Sequence, residues 1–551
     1  MKKAKLSGLW LLPFFYFSFC LNESVLRAAT ARSFWQSGLP LACLFALVPA
    51  FGMFFLCRLF SPKVNRALEL ILSWFFFLFY ASQLVYFRIF GCFYSAYSMG
   101  NGGQVLEFWN VALRAMAESW LPLLILRSPG SIYLDTTVQI LQYQGYQPIQ
   151  ASSPVLLTFV YGFLMTLGQR LGGNNLGLFF CVLFQVILGL YALSFGCEEA
   201  ASRSGKKYIG FLLSLFFGLA MMYVSMAQGA LKDSVYSPLF LLLIIFYCRT
   251  LEDGSKKSMV PLLILALLCG AARKGGVYLS ALILLCLVGK KELRRFAVAA
   301  CLALVALHCL VNWALYPAVG IESPEEKENY SFFYQLTGYY CSIHPDWVTD
   351  EEKEIISQVL DYDTVVTQYD PKIVDAIKAT YHADTPMQVQ RYLLLHGKLA
   401  LKHPLTMLEA VVYSRNWYFC PFAWDVEKTI GEVLIGFDYV EPQLSGFSRW
   451  LESDARRAAE SKLWDFEHSY PVRIFVVSGI YNWLGLLLGL AAWYAGSREK
   501  KQMALPVLLA IAGLLLTHIN GAVRYAGPVV YSVPVLLVLM KAKKIKPAQI
   551  S

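Results

Sequence analysis

LGLFFCVLFQVILGLYALSFGC, residues 176–197, holds no charged side chain over 22 positions and is followed at 202–207 by the basic run SRSGKK. An α-helix rises 1.5 Å per residue and a bilayer's hydrocarbon core is about 30 Å thick, so roughly 20 apolar residues make one crossing. Working outward, similar runs lie near 7–21, 39–58, 67–89, 208–224, 234–249, 258–272, 276–289, 296–316, 471–495, 503–518 and 526–541. With 57% hydrophobic and 15% charged residues over 551 positions, the chain reads as an all-α polytopic membrane protein with about 12 spans. The net charge of +10 sits in short connectors, not in a basic patch interleaved with aromatics, so no nucleic acid partner is implied.

Those connectors orient the chain, because cytoplasmic loops are enriched in Lys and Arg. RLFSPKVNR (58–66), SRSGKK (202–207), RTLEDGSKK (249–257), GKKELRR (289–295), SREKK (497–501) and KAKKIK (541–546) all read as inside, which puts both termini in the cytoplasm of a multi-pass cell-membrane protein. The opening MKKAK and apolar 7–21 lack a small-residue cleavage site and read as an uncleaved anchor. The 13 Cys show no CxxC or Cys/His spacing, so no metal site or cofactor is expected. Cys92, Cys341 and Cys420 fall in external segments, where a disulfide is chemically allowed but no pairing is readable.

Two segments test this scheme. Residues 104–126 carry Glu107, Asn110, Arg114 and Glu118, each ionised group costing about 3 kcal/mol at the bilayer centre, and are expected to lie at the interface. Residues 153–168 are apolar but short, and are also expected not to cross. Residues 90–175 then form one long external segment with interfacial helices. Residues 317–470 form a second external region, with 25 acidic against 13 basic residues, as suits a translocated soluble domain. Its helical signals are TDEEKEIISQVL (349–360) and the amphipathic 391–415. The expected division is an amino-terminal membrane module at 1–127, a membrane core at 128–316, a mainly helical external domain at 317–470, and a three-span segment at 471–551.

Several polar residues fall near external helix ends: Asp135, the first Asp of the chain, in PGSIYLDTTVQI (129–140); Lys232 and Asp233 in GALKDSVY; Arg273 and Lys274 in AARKGGVYL; and Arg524 and Tyr525 in INGAVRYAGP. Each has a structural alternative. The cations can snorkel to headgroups, Asp233 can complement a helix dipole, and Asp135 can cap the helix that follows it. Together, carboxylates and cations at one level suit a lipid phosphate, because Arg forks a phosphate and Lys meets it as a point charge. A phosphate leaves as a stable anion, so glycosyl transfer from a lipid phosphate needs one carboxylate base and no second carboxyl acid.

SPGSIYLDTTVQI, SSPVLLTFVYGFLMTLG, GALKDSVYSPLFLLLI, ARKGGVYL and RYAGP, in that order, resemble the succession found in GT-C membrane glycosyltransferases, relatives of protein O-mannosyltransferases and aminoarabinose transferases. LDYDTVVTQYDPKIVDAIKATY (360–381) with LKHPLTMLEAVVYSRNWYFCPF (401–422) is similar to an uncharacterised bacterial family of large multispan proteins assigned to that superfamily. The resemblance covers about 128–545 and implies a GT-C-like helical bundle, an external active site, a polyprenyl-phosphate sugar donor and inverting transfer to a cell-envelope acceptor. It assigns Asp135 as the first-loop catalytic carboxylate and Asp233 as the supporting acid. It assigns Lys274 as a basic residue near the donor phosphate, beside Lys232, Arg273, Arg524 and Tyr525. No paired Asp-Glu or Asp-x-Asp follows the first helix, a departure that bears on metal use. FLFYASQLVYFRIFGCFYSAYSMGNGGQVLEFW (77–109) instead resembles the membrane part of lipoteichoic acid synthase-type proteins.

Two competing functions are a transporter or flippase of a lipid-linked sugar and a non-catalytic envelope scaffold. Transporters tend to carry ionisable residues at mid-membrane between repeats, and this chain shows neither feature. In the external region His344, His382, His396 and His403 lack the i, i+4 spacing of a zinc motif, and Trp417 and Tyr418 read either as packed aromatics or as a sugar platform.

Overall fold

The computed structural model describes residues 105–254, 256–421, 444, 446–450, 452–468, 476–517 and 519–541. The expected spans near 7–21, 39–58 and 67–89, most of the amino-terminal module, and Cys92 lie outside the described residues.

The described chain is all-α apart from one pair of two-residue strands. Its membrane part runs α1 (Val105–Leu126), β1 (Ser131–Ile132), α2 (Leu134–Tyr143), α3 (Val155–Gly172), α4 (Asn174–Ser204), α5 (Lys207–Leu219), α6 (Met221–Gln228), β2 (Gly229–Ala230), α7 (Lys232–Asp253), α8 (Lys256–Ala272), α9 (Gly276–Cys286) and α10 (Arg294–Leu310). A π turn, Val311–Leu315, and Tyr316–Ala318 carry α10 onward. The segment expected to be external holds α11 (Ser331–Ile343), α12 (Asp350–Ser357), α13 (Tyr362–Thr367), α14 (Asp375–Lys378), α15 (Pro386–Lys402) and α16 (Pro404–Tyr413). Then come α17 (Asp454–His468), α18 (Ser478–Ala495), α19 (Arg498–Leu514) and α20 (Val523–Lys541).

Among the described residues five helices are long and apolar enough to cross a membrane: α3, α4, α7, α10 with its extension, and α20; α5 and α6 together make a sixth if counted as one bent span. α7 is buried along most of its length, among α4, α8 and α20, whereas α10 presents Leu302, Leu310 and Trp313 outward, as a lipid-facing helix does.

Two expectations change and a third is filled out. Residues 104–126, expected to lie at the interface, form α1, which is not among the described helices long and apolar enough to cross; it packs along α4 and α5, burying Ala112, Met116, Trp120 and Leu123, a stripe at helical spacing. Residues 153–168, read as too short to cross, belong to an 18-residue helix that reaches Gly172. It closes tightly on α4, because a Cβ at Gly168 would lie 2.2 Å from the Gly177 backbone nitrogen. The expected span 208–224 is broken, with α5 and α6 meeting at 57° about an extended Ala220. Near the break, Phe217 O, one of the carbonyls that a helix end leaves without an intrahelical donor, accepts Trp120 Nε1–H at 3.0 Å.

The segment that carries α11–α16 is helical, as expected. TDEEKEIISQVL forms α12 behind a capping box of Thr349 and Glu352. The amphipathic stretch 391–415 is two helices parted at His403–Pro404, where proline removes the backbone donor. Tyr334, Tyr340, Ile356, Leu360, Ile377, Tyr392 and Leu399 make its core. Cys341 and Cys420 are both buried.

His396 lies in that core, Nδ1 2.9 Å from Tyr392 O and Nε2 3.0 Å from Thr337 Oγ1. Burial pushes its pKa down to about 4, from an ordinary value of about 6.5. A His held neutral in the fold contributes stability that is complete above about pH 6.5 and is lost as pH falls towards about 4, because the unfolded chain takes up the proton first. At full protonation the loss is about 3 kcal/mol. Acid unfolding of the intact protein, followed by tryptophan fluorescence, is expected to be shallower over this window in His396→Gln; an unaltered slope would refute the assignment.

Candidate functional site

Two short strands build the site. β1 pairs in parallel with β2, Ser131 with Gly229 and Ile132 with Ala230, and each strand turns at once into a helix, α2 or α7. Each acid follows its strand by the same three residues, Asp135 after Ile132 and Asp233 after Ala230. Both acids thus sit in the first turn of their helices, where the macrodipole favours negative charge. Thr136 Oγ1 donates to Ala230 O at 2.7 Å and ties the two helix starts together. Gly130 enters β1 at φ +116°, and a Cβ there would stand 2.5 Å from Val182 Cγ2 and 2.9 Å from Gln228 O; only glycine fits that backbone without strain.

Asp135 Oδ2 meets Lys232 Nζ at 2.8 Å and Arg524 Nη1 at 3.5 Å. Its side chain keeps 31% of its surface, while Asp233 is fully buried. Asp233 Oδ1 lies 3.2 Å from Arg273 Nη1, a charge contact without hydrogen-bond geometry, and neither Asp233 oxygen accepts a hydrogen bond. The ring of Tyr525 lies between the guanidinium groups of Arg273, 4.8 Å away, and Arg524, 4.9 Å away. Arg524 also covers Tyr133 at 4.4 Å, and Arg273 covers Tyr236 at 5.4 Å. Three cations therefore face two carboxylates, leaving one net positive charge.

The structure brings together Asp135, Lys232, Asp233, Arg273, Arg524 and Tyr525 from four separate segments. It does not bring in Lys274, whose ammonium stands 3.4 Å from Asn329 Oδ1. Consecutive residues at the tight α8–α9 turn point differently, so Arg273 faces the interior and Lys274 the outside. Trp417 and Tyr418 fasten the segment that carries α11–α16 to the α19–α20 loop: Tyr418 Oη donates to Ile519 O at 2.7 Å, and Lys372 Nζ covers the Trp417 ring at 4.8 Å. Nearby, Arg415 Nη2 donates to Thr517 O at 2.7 Å and Asn520 Nδ2 to Tyr413 O at 3.3 Å. This seam fixes the loop that leads into Arg524. Of His344, His382, His396 and His403, the first and last stack on Trp347, and among the described residues no group of three His, Cys, Asp or Glu converges.

Sequence reasoning missed the strand pair, Tyr133 and the buried amide beneath it. Gln185 Oε1 accepts Leu231 N–H at 2.9 Å and lies 2.5 Å from Tyr161 Oη, while its Nε2 donates to Gly229 O at 2.8 Å and Ala227 O at 3.2 Å. Its signal was visible, a lone amide inside the uncharged run 176–197, because an amide in an apolar span needs partners. Gln185→Leu strands those groups, each costing about 1–3 kcal/mol. A loss of about 3–5 kcal/mol, read as a lower midpoint of thermal unfolding in detergent, is expected; an unchanged midpoint would show that the clamp is dispensable.

No curated protein and no solved structure matches the chain. Residues 149–550 match the model of a family of unknown function, DUF6020, which takes in Lys232, Asp233, Arg273 and Arg524 and starts after Asp135. Since that match covers well over half of its length, the chain belongs to this family, DUF6020.

Proposed function

We propose that the protein is a membrane glycosyltransferase of GT-C type, in which external helices frame a site that moves a sugar from a polyprenyl-phosphate donor to a cell-envelope acceptor. The observation that carries the reading is the pairing of Asp135, partly exposed, with Lys232 and Arg524. The donor's phosphate competes for both cations and, on binding them, releases the carboxylate. Asp135 then takes the proton of the acceptor hydroxyl as its oxygen bonds to the anomeric carbon. The bond from that carbon to the phosphate oxygen breaks, and its electron pair leaves with the lipid phosphate.

Charge supports a monophosphate donor. One net positive charge is neutralised by a phosphodiester, which carries one negative charge. After transfer Asp135 is neutral, the lipid phosphate holds two negative charges, and the balance is again zero. A pyrophosphate-linked donor would leave a net negative charge in a largely buried cluster, which is costly. A full set of about 12 spans, with the first three preceding the described residues, is part of this reading.

The break between α5 and α6 is the feature that favours a second reading, transport of a lipid-linked sugar, since broken helices line transporter sites. Purified protein supplied with a panel of radiolabelled polyprenyl-phosphate sugars and envelope acceptors separates the two. Transfer releases free lipid phosphate; movement of intact donor across proteoliposomes without cleavage would replace the transferase with the transporter.

A further inference from the structure

Lys274 lies outside the interior cluster, and its surroundings form a second polar group at the edge of the bundle. It precedes α9, whose Tyr278 is exposed and meets the ring of His308 on α10 at 5.6 Å, edge to face. One turn along α10, Asn312 Nδ2 donates to His308 O at 2.8 Å and lies 3.1 Å from His308 Nδ1. An amide nitrogen only donates, so Nδ1 accepts and the imidazole proton sits on Nε2, a donor. Asn329, just before α11, closes the notch. Among the described residues no carboxylate lies within ion-pair distance of Lys274.

Three observations set this notch against lipid. α10 is the least buried of the candidate spans. Trp313, next to Asn312, and Tyr278 are exposed aromatics, the residues that mark a membrane interface. Val311–Leu315 is a π turn, a distortion frequent at functional positions. Arg273, the neighbour of Lys274, faces inward on Asp233, so one step along the chain separates the rim from the interior.

We propose that Lys274, His308, Asn312 and Asn329 form a lipid-facing notch that receives the phosphate of a prenyl-type membrane lipid before the phosphate reaches Arg273, Lys232 and Arg524. The proposal rests on the transferase reading for the identity of that lipid, and names the door by which its donor enters. Lys274 supplies the charge, His308 Nε2–H and the Asn329 amide supply donors, Asn312 holds the imidazole in that tautomer, and the lipid tail stays in the bilayer along α9 and α10.

Native mass spectrometry of the full-length protein in detergent tests it, with farnesyl phosphate, farnesol and phosphatidic acid as probes. The intact chain is expected to bind farnesyl phosphate at two sites, Lys274→Gln at one, and Lys274→Arg again at two, with Lys291→Gln unaffected. His308→Leu is expected to weaken the outer site about tenfold. Unchanged stoichiometry in Lys274→Gln, or farnesol binding as well as its phosphate, would overturn the proposal. Equal outer-site binding of phosphatidic acid would assign the notch to bulk-lipid phosphate and overturn its role as a donor door. The transferase reading fails separately: two-site binding lost in Lys274→Gln without transfer by the unsubstituted chain keeps the notch and rejects the enzyme.

Discussion

Asp135→Asn is expected to lower kcat of glycosyl transfer by at least about a hundredfold, the usual contribution of a positioned general base, while KM for the lipid-phosphate donor stays level or falls. The direction of KM follows from the pairing. In the intact site Lys232 and Arg524 are engaged by the carboxylate, so the donor's phosphate must displace Asp135. Removing that charge frees both cations for the phosphate and tightens the ground state, while no group remains to take the acceptor's proton. A fall in kcat with no rise in KM marks an interaction needed in the transition state. Full activity of the variant in the radiolabelled assay would reject Asp135 as the base. A raised KM with unchanged kcat would make it a binding residue. Folding is not expected to suffer, because Asp135 keeps about a third of its surface and the β1–β2 pairing does not depend on its side chain.

Arg273→Met is expected to act on the fold first. It leaves Asp233 fully buried, without hydrogen-bond donors and without its nearest cation, and breaking a buried pair from one side costs about 3–5 kcal/mol. The intact protein should lose that much stability, seen as a large drop in the midpoint of thermal unfolding and in the yield of monodisperse protein. Replacing both partners, Asp233→Asn with Arg273→Met, should recover most of the stability, because no uncompensated charge remains. Transfer should stay low in the double variant, since the cluster then keeps two cations beside Asp135 but loses one of the two guanidinium groups that cover Tyr525. Recovery of both stability and transfer would confine the pair to a structural role; failure of the double variant to fold better than Arg273→Met would refute the pairing as the source of the loss.

The parts of the site that the sequence displayed were those where chemistry is unusual for its surroundings. Asp135, Lys232, Asp233, Arg273 and Arg524 stood out because charge is scarce beside apolar runs, and a group costly to bury invites a reason. Lys274 stood out equally and was misplaced: charge pattern carries no direction at a tight turn, so neighbouring cations could not be told apart. Tyr133 and Tyr236 were hidden among many aromatics, since a tyrosine at a membrane edge is ordinary. The packing of residues 104–126 and the full length of the helix over 153–168 were hidden for a related reason. Charge number and run length were read for each segment alone, whereas the packing of α1 on α4 and α5, and the glycine contact between α3 and α4, depend on partners elsewhere in the chain.

By itself the sequence determined that this is a helical membrane protein with an acid-rich helical segment, because apolar run length and acid-to-base balance are local, additive properties. Only the tertiary structure decided that a two-residue strand pair brings the helix starts bearing Asp135 and Asp233 together, that Arg524, hundreds of residues away in the chain, completes the ion pair, and that Lys274 looks outward. Those facts follow from a handful of hydrogen bonds and close backbone contacts between distant segments, and such contacts leave no periodic trace in the order of residues.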